Sequence, residues 1–114
     1  MKPKIIRSEE LKENDYGATK VTDILNIKGF SKFSIAKIRK VRNDIKLGYD
    51  KESDVAYYVL EGKGYCIING KKYLLKKGDC VFYPKGTIYK HMKGLILLAI
   101  ASPPFNRKKR VYVE

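Results

Sequence analysis

The sequence predicts an all-β sandwich or barrel, and three observations carry that expectation. Short β-prone runs follow one another from Phe33 onward, separated by turn signals, and no stretch keeps a long helical period. "YCIINGKKYLL" places Asn69-Gly70 between two apolar runs, the preferred two-residue hairpin turn, because both residues tolerate positive φ. "LILLAIAS" followed by "PP" reads as a continuous buried strand stopped by residues that cannot extend a ladder.

The elements follow in order. "SEELKE" opens with a capped turn in which Ser8 accepts from the following amides. "TKVTDILNI" reads as a strand, with Val21 and Ile27 near its ends. "FSIAKIRKV" alternates, setting Phe33, Ile35, Lys37 and Arg39 on one face. "NDIKLGYDKESD" is a loop or a broken strand, and its "DKESD" portion has the composition of an exposed loop. "VAYYVLEG" is strongly β-prone. After the hairpin, "LKKGD" supplies a turn and "CVFYP" a strand stopped by Pro84.

At 114 residues the chain makes one domain with one hydrophobic core. Its longest apolar run, Leu95 to Ala101, is far short of the roughly 20 residues that span a bilayer. Charges interrupt "MKPKIIRSEELKEND", where a secretory signal needs an apolar centre, so the expected location is cytoplasmic, with no membrane partner. The net charge is +13, and twenty of the 25 basic residues are lysine. Such a surface attracts anions, but the lysines are scattered and only Arg107 to Arg110 cluster, so they read as a solvated surface rather than a nucleic-acid site. Cys66 and Cys80 both lie among apolar residues and read as small core side chains, with a disulfide between them left open.

"YYVLEGKGYCIINGKKYLLKKGDCVFYPKGTIYKHM", with "SPPF" about ten residues later, resembles the small single-domain cupins. Gly78, Pro84 and Gly86 fall on the spacing of the second cupin motif. Each glycine also serves the chain path, with Gly62 and Gly78 ending strands in turns and Gly86 reversing the chain after Pro84. The resemblance covers roughly residues 33–105. It implies a cupin-type double-stranded β-helix, a jelly-roll barrel with a central pocket. It also implies a homodimer whose N-terminal strands extend the partner's sheet, with residues 20–28 as candidates. The chain then divides into an N-terminal arm (1–31), a barrel (32–105) and a basic C-terminal tail (106–114).

Metal-dependent cupins use three histidines and a glutamate. The resemblance places those positions on Gly48, Asp50, Val55 and Tyr89, of which Asp50 alone is a plausible ligand. The single histidine, His91, lies two residues beyond its place. A slipped set of Asp50, Glu52, Asp54 and His91 would need every ligand displaced. The expectation is therefore a pocket without metal or other cofactor, and a metal-dependent cupin enzyme ranks last.

Strand alternation sets Tyr89 and His91 on one face, and Tyr57 and Val59 with Val55, all toward the pocket. Lys37 or Arg39 offers a cation from the first barrel strand. Two functions follow. One is a binding module for a carbohydrate-like or anionic small molecule, held by Asp50, Tyr57, Tyr89 and His91, with tyrosine rings packed on the ligand. The other is a metal-independent sugar isomerase or epimerase, with His91 as general base and Tyr89 as acid. A structural histidine and tyrosines retained for β-packing are the plainer alternative to both.

Overall fold

The computed structural model describes residues 2–113. After a 3-10 turn at Ser8–Glu10 come ten strands: β1 (Glu13–Asp15), β2 (Thr19–Leu25), β3 (Ser34–Lys40), β4 (Leu47–Asp50), β5 (Asp54–Ile68), β6 (Lys71–Lys76), β7 (Cys80–Tyr83), β8 (Tyr89–His91), β9 (Leu95–Ser102) and β10 (Arg110–Val113). All pairings are antiparallel. The N-terminal half of β5 lies between β7 and β9 in one sheet, which continues through β3 and β2 to β1. Its C-terminal half lies between β6 and β8 in the other, which continues through β4 to β10. Strand β5 is thus the shared member of two curved sheets, as the expected all-β jelly roll requires. Among the described residues no helix is long and apolar enough to cross a membrane.

The hairpin at Asn69-Gly70 is as expected: both residues have positive φ (49° and 83°), and Ile68 pairs Lys71 across the turn. Gly78 and Gly86 also turn the chain at positive φ. Gly62 differs from the expectation. It does not end a strand but lies inside β5, just beyond a register shift between Val59 and Glu61, where the strand passes from one sheet to the other. Ser8 does not cap the first turn either: the Glu10 carboxylate accepts from Arg7 N, and the Ser8 hydroxyl donates to Glu9.

The inward row of β9 explains where the core stops. Leu95, Leu97, Ala99 and Ala101 alternate inward, so the strand is not buried on both faces: Ile100 is exposed on the other side. Leu95 and Leu97 pack with Val59, Cys66 and Leu75, and Ile38, Tyr57, Ile68 and Val81 close around them. Beyond Leu97 the inward side chains shrink to alanine. Ala99 pairs Ala36 on one side and Tyr57 on the other, and Ala101 pairs Val55. One end of the barrel is filled by leucine, and the other opens into a cavity of about 420 Å³.

Cys66 is fully buried, whereas Cys80 is exposed on the outer face of β7; both thiols are free. The expectation of two core cysteines therefore holds only for Cys66, because β7 alternates and Cys80 takes the outward parity with Phe82. An aromatic disulfide reagent should modify Cys80 in the native protein and Cys66 only in denaturant, with rates differing by about 100-fold or more. Equal rates would contradict the inward placement of Cys66.

Candidate functional site

Tyr57, Tyr89 and His91 converge on the cavity wall, with Tyr83 packed behind them. Tyr57 comes from β5, Tyr83 from β7, and Tyr89 and His91 from the same face of β8. The Tyr57 and Tyr89 hydroxyls lie 2.8 Å apart in a hydrogen bond, and Tyr83 Oη lies 3.0 Å from His91 Nε2. Tyr83 and Tyr89 stack in parallel, with centroids 3.7 Å apart and planes at 7°. The Tyr57 and His91 rings meet edge to face, with centroids 4.6 Å apart. Burial pushes the phenols of Tyr57, Tyr83 and Tyr89 above the ordinary range, so all three are neutral hydrogen-bonding groups.

His91 is fixed from behind by Asp44. Asp44 Oδ2 accepts from His91 N, and Asp44 N donates to His91 O, each at 3.0 Å. Burial drives the imidazole down to about 3, with the nearby Asp44 carboxylate acting against that shift. The expected partnership of His91 with Tyr89 is looser than its bond to Tyr83, since the Tyr89 and His91 rings stand 5.3 Å apart and tilted.

The cations differ from those the sequence suggests. Lys37 is exposed, and Arg39 is bound to Glu13 at 2.7 Å on the outer face of the sheet. The inward parity of β3 belongs to Ser34, Ala36, Ile38 and Lys40, and Lys40 is buried against Thr19 Oγ1 and Asp44 Oδ1 at the cavity wall. The second cation is Arg110. Strand β10 pairs β4 with Arg110 opposite Asp50, which carries a residue of the basic run into the cavity. Its guanidinium lies 4.4 Å from the Tyr89 ring centroid. Tyr89 is thereby covered by Tyr83 on one side and by Arg110 on the other, so its ring has no face left for a ligand.

Asp50 belongs to "DKESD" but is not an exposed loop residue: it ends β4 and is only 4% exposed. Its Oδ1 accepts from Glu52 N at 2.8 Å and Ser53 N at 2.7 Å, which locks the carboxylate in place. Its Oδ2 is buried without a hydrogen-bond partner among the described residues, and so is Arg110 Nη1. The C-terminal segment is tied across the cavity by Asn26 Nδ2 donating to Phe105 O at 3.2 Å and by Arg107 lying over the Tyr16 ring at 4.0 Å.

The four sequence-derived site residues, Asp50, Tyr57, Tyr89 and His91, thus all line one cavity, together with Lys40 and Arg110. Tyr83 stands directly behind them. Of the cupin metal positions, Asp50, Val55 and Tyr89 border the cavity, and Gly48 pairs Tyr89 across the strands. This donor set does not suit a metal. His91 Nε2 is engaged by Tyr83, and among the described residues no three His, Cys, Asp or Glu side chains converge as ligands.

The family comparison matches residues 46–93 to the cupin domain. No curated protein sequence matches the chain. Among solved structures, a point variant of Streptomyces PAC13 with uridine is similar at TM-score 0.88 and 16% identity, covering 100% of this chain and 93% of that one. Another structure of Pac13 describes that protein as a nucleoside dehydratase. The polyketide cyclase RemF from Streptomyces resistomycificus follows at TM-score 0.81 and 17% identity, covering 99% of this chain and 87% of that one. Ectoine synthase from P. lautus is similar at TM-score 0.78 and 17% identity, covering 100% and 91%. At these identities the likeness is one of fold. Residues 46–93 match the cupin domain, and the whole course of the chain follows the cupin fold.

Proposed function

We propose that this protein binds a small carbohydrate-like or anionic molecule inside the barrel without a metal. The observation that carries the reading is the pair of buried, unpartnered polar atoms, Asp50 Oδ2 and Arg110 Nη1, on two residues that line a single cavity of about 420 Å³. Leaving a buried donor or acceptor unmet costs about 1–3 kcal/mol each, more when charged, and a ligand that meets both recovers that cost. Tyr57 and Tyr89 add hydroxyls in fixed positions, and Ala36, Ala99 and Ala101 leave the room. Binding ranks ahead of isomerisation because His91, held unprotonated to about pH 3 and tied to Tyr83, is a poor proton acceptor at neutral pH.

Thermal unfolding in the presence of nucleosides, monosaccharides and sugar phosphates tests the reading. A true ligand raises stability progressively, by about 2.7 kcal/mol at a hundred times its Kd. Ala99→Leu, which extends the leucine row into the cavity, is expected to remove the response while the protein stays folded. A response unchanged in that variant would place binding elsewhere, and no response across the panel would count heavily against binding.

A further inference from the structure

The charge on the cavity wall is unlike the charge on the rest of the molecule. The chain carries +13 overall, yet the cavity is bordered by three basic residues (Lys40, Arg107 and Arg110) and three acidic ones (Asp23, Asp44 and Asp50). The cations are also committed. Lys40 is held by Asp44 and Thr19, and Arg107 lies over Tyr16. Arg110 is set opposite Asp50 in strand register, stacked on Tyr89, with the two side chains not bonded to each other through Asp50 Oδ2 or Arg110 Nη1. An anion meeting Arg110 would be drawn beside the buried Asp50 carboxylate, set opposite Arg110 in strand register, and like charges at close range in a site of low dielectric repel strongly. A neutral group that both donates and accepts suits both atoms at once.

We infer, resting on the binding reading above, that the ligand is an uncharged polyhydroxylated ring, a sugar or the sugar of a nucleoside. Adjacent hydroxyls bridge the wall, one donating to Asp50 Oδ2 and its neighbour accepting from Arg110 Nη1. Asp50 is a suitable reader because its Oδ1 is already saturated by Glu52 N and Ser53 N, so the carboxylate cannot rotate away and only Oδ2 is free. Arg110 is constrained as well, since its guanidinium is held over the Tyr89 ring, 4.4 Å from the centroid. The surface lysines therefore play no part in selecting the ligand.

Calorimetric titration with matched probes decides the matter: uridine, 2′-deoxyuridine and uridine 5′-monophosphate, and glucose, 2-deoxyglucose and glucose 6-phosphate. The expected result is that a fully hydroxylated neutral member binds, that its deoxy partner binds about tenfold or more weakly, and that the phosphorylated partner gains nothing. Asp50→Asn and Arg110→Gln should each abolish the preference for the hydroxylated member, and circular dichroism verifies that they remain folded. Should Asp50→Asn unfold, Arg110→Gln alone still tests the bridge. Tighter binding of the phosphorylated members, or equal binding of the deoxy ones, overturns this inference and leaves the binding reading standing. Silence of every probe overturns both.

Discussion

Gly62→Ala is expected to destabilise the protein by about 3 kcal/mol or more, seen as a lower urea midpoint with an unchanged slope. Two costs combine. Gly62 has φ +82°, a conformation that costs an L-residue roughly 1–2 kcal/mol. A Cβ there would also lie far inside contact distance of Gly94 O, and a backbone carbonyl cannot swing aside. The neighbour is equally constrained: Gly94 has φ +103°, and a Cβ on it would press on Lys63 O. The two glycines allow β5 to cross from one sheet to the other while β9 begins against it. Gly78→Ala is the control, since Gly78 shares the positive φ (+92°) but has nothing within 4 Å of its missing Cβ. It should cost only the conformational part, about 1–2 kcal/mol. Equal losses in the two variants would mean that the close approach of β5 and β9 contributes nothing.

Legibility in the sequence follows how local the determining physics is. The Asn69-Gly70 hairpin and the turns at Gly78 and Gly86 are set by φ preferences of single residues, and they stand where expected. The inward faces of β5 and β8 follow from alternation within one strand, so Val55, Tyr57, Tyr89 and His91 stand at the cavity as alternation requires. Strand β3 defeats the same argument because both of its parities carry cations. Lys40 on one face and Lys37 with Arg39 on the other are equivalent until pairing with β9 sets Ala36 against Ala99 inside the barrel. Arg110 is hidden for a different reason. "RKKR" reads as solvated charge, and only the pairing of β10 with β4, a contact some 60 residues apart in the chain, turns one of its side chains inward. Asp50 lines the cavity even though its loop reads as exposed; the two amides that fix it belong to the tight turn after β4. A further signal lies in β9: the inward row Leu95, Leu97, Ala99, Ala101 passes from large to small side chains, which is how a strand marks the boundary between packed core and cavity.

Acid should destabilise the protein from about pH 6.5 downward, and His91 is the reason. Burial holds its folded-state value at about 3, whereas in the unfolded chain the imidazole titrates near 6.5. Between those values the unfolded state binds the extra proton, so stability falls as pH falls, by up to about 1.4 kcal/mol per pH unit. Above about 6.5 the group has no effect, and below about 3 its effect is complete. At pH 5 the loss relative to pH 7.5 is about 2 kcal/mol, or roughly 8 °C in Tm for a domain of this size. The groups around the ring do not cancel this. Lys40 and Arg110 oppose protonation and Asp44 favours it, while the three surrounding tyrosines remain neutral. The carboxylates whose values shift enter only toward the acid end of the window. Glu13, held down by its hydrogen bond to Arg39, and Asp15, held down by Lys20, titrate below their ordinary values of 4.5 and 3.8. The slope between pH 6.5 and about 5.5 therefore belongs to His91. His91→Gln, which keeps a polar side chain near Tyr83, should be less stable at pH 7.5 for loss of packing yet nearly flat over that range. A wild-type profile flat from pH 7.5 to 5, or an undiminished slope in the variant, would show that His91 is not the buried neutral imidazole on which the geometry of the cavity wall depends.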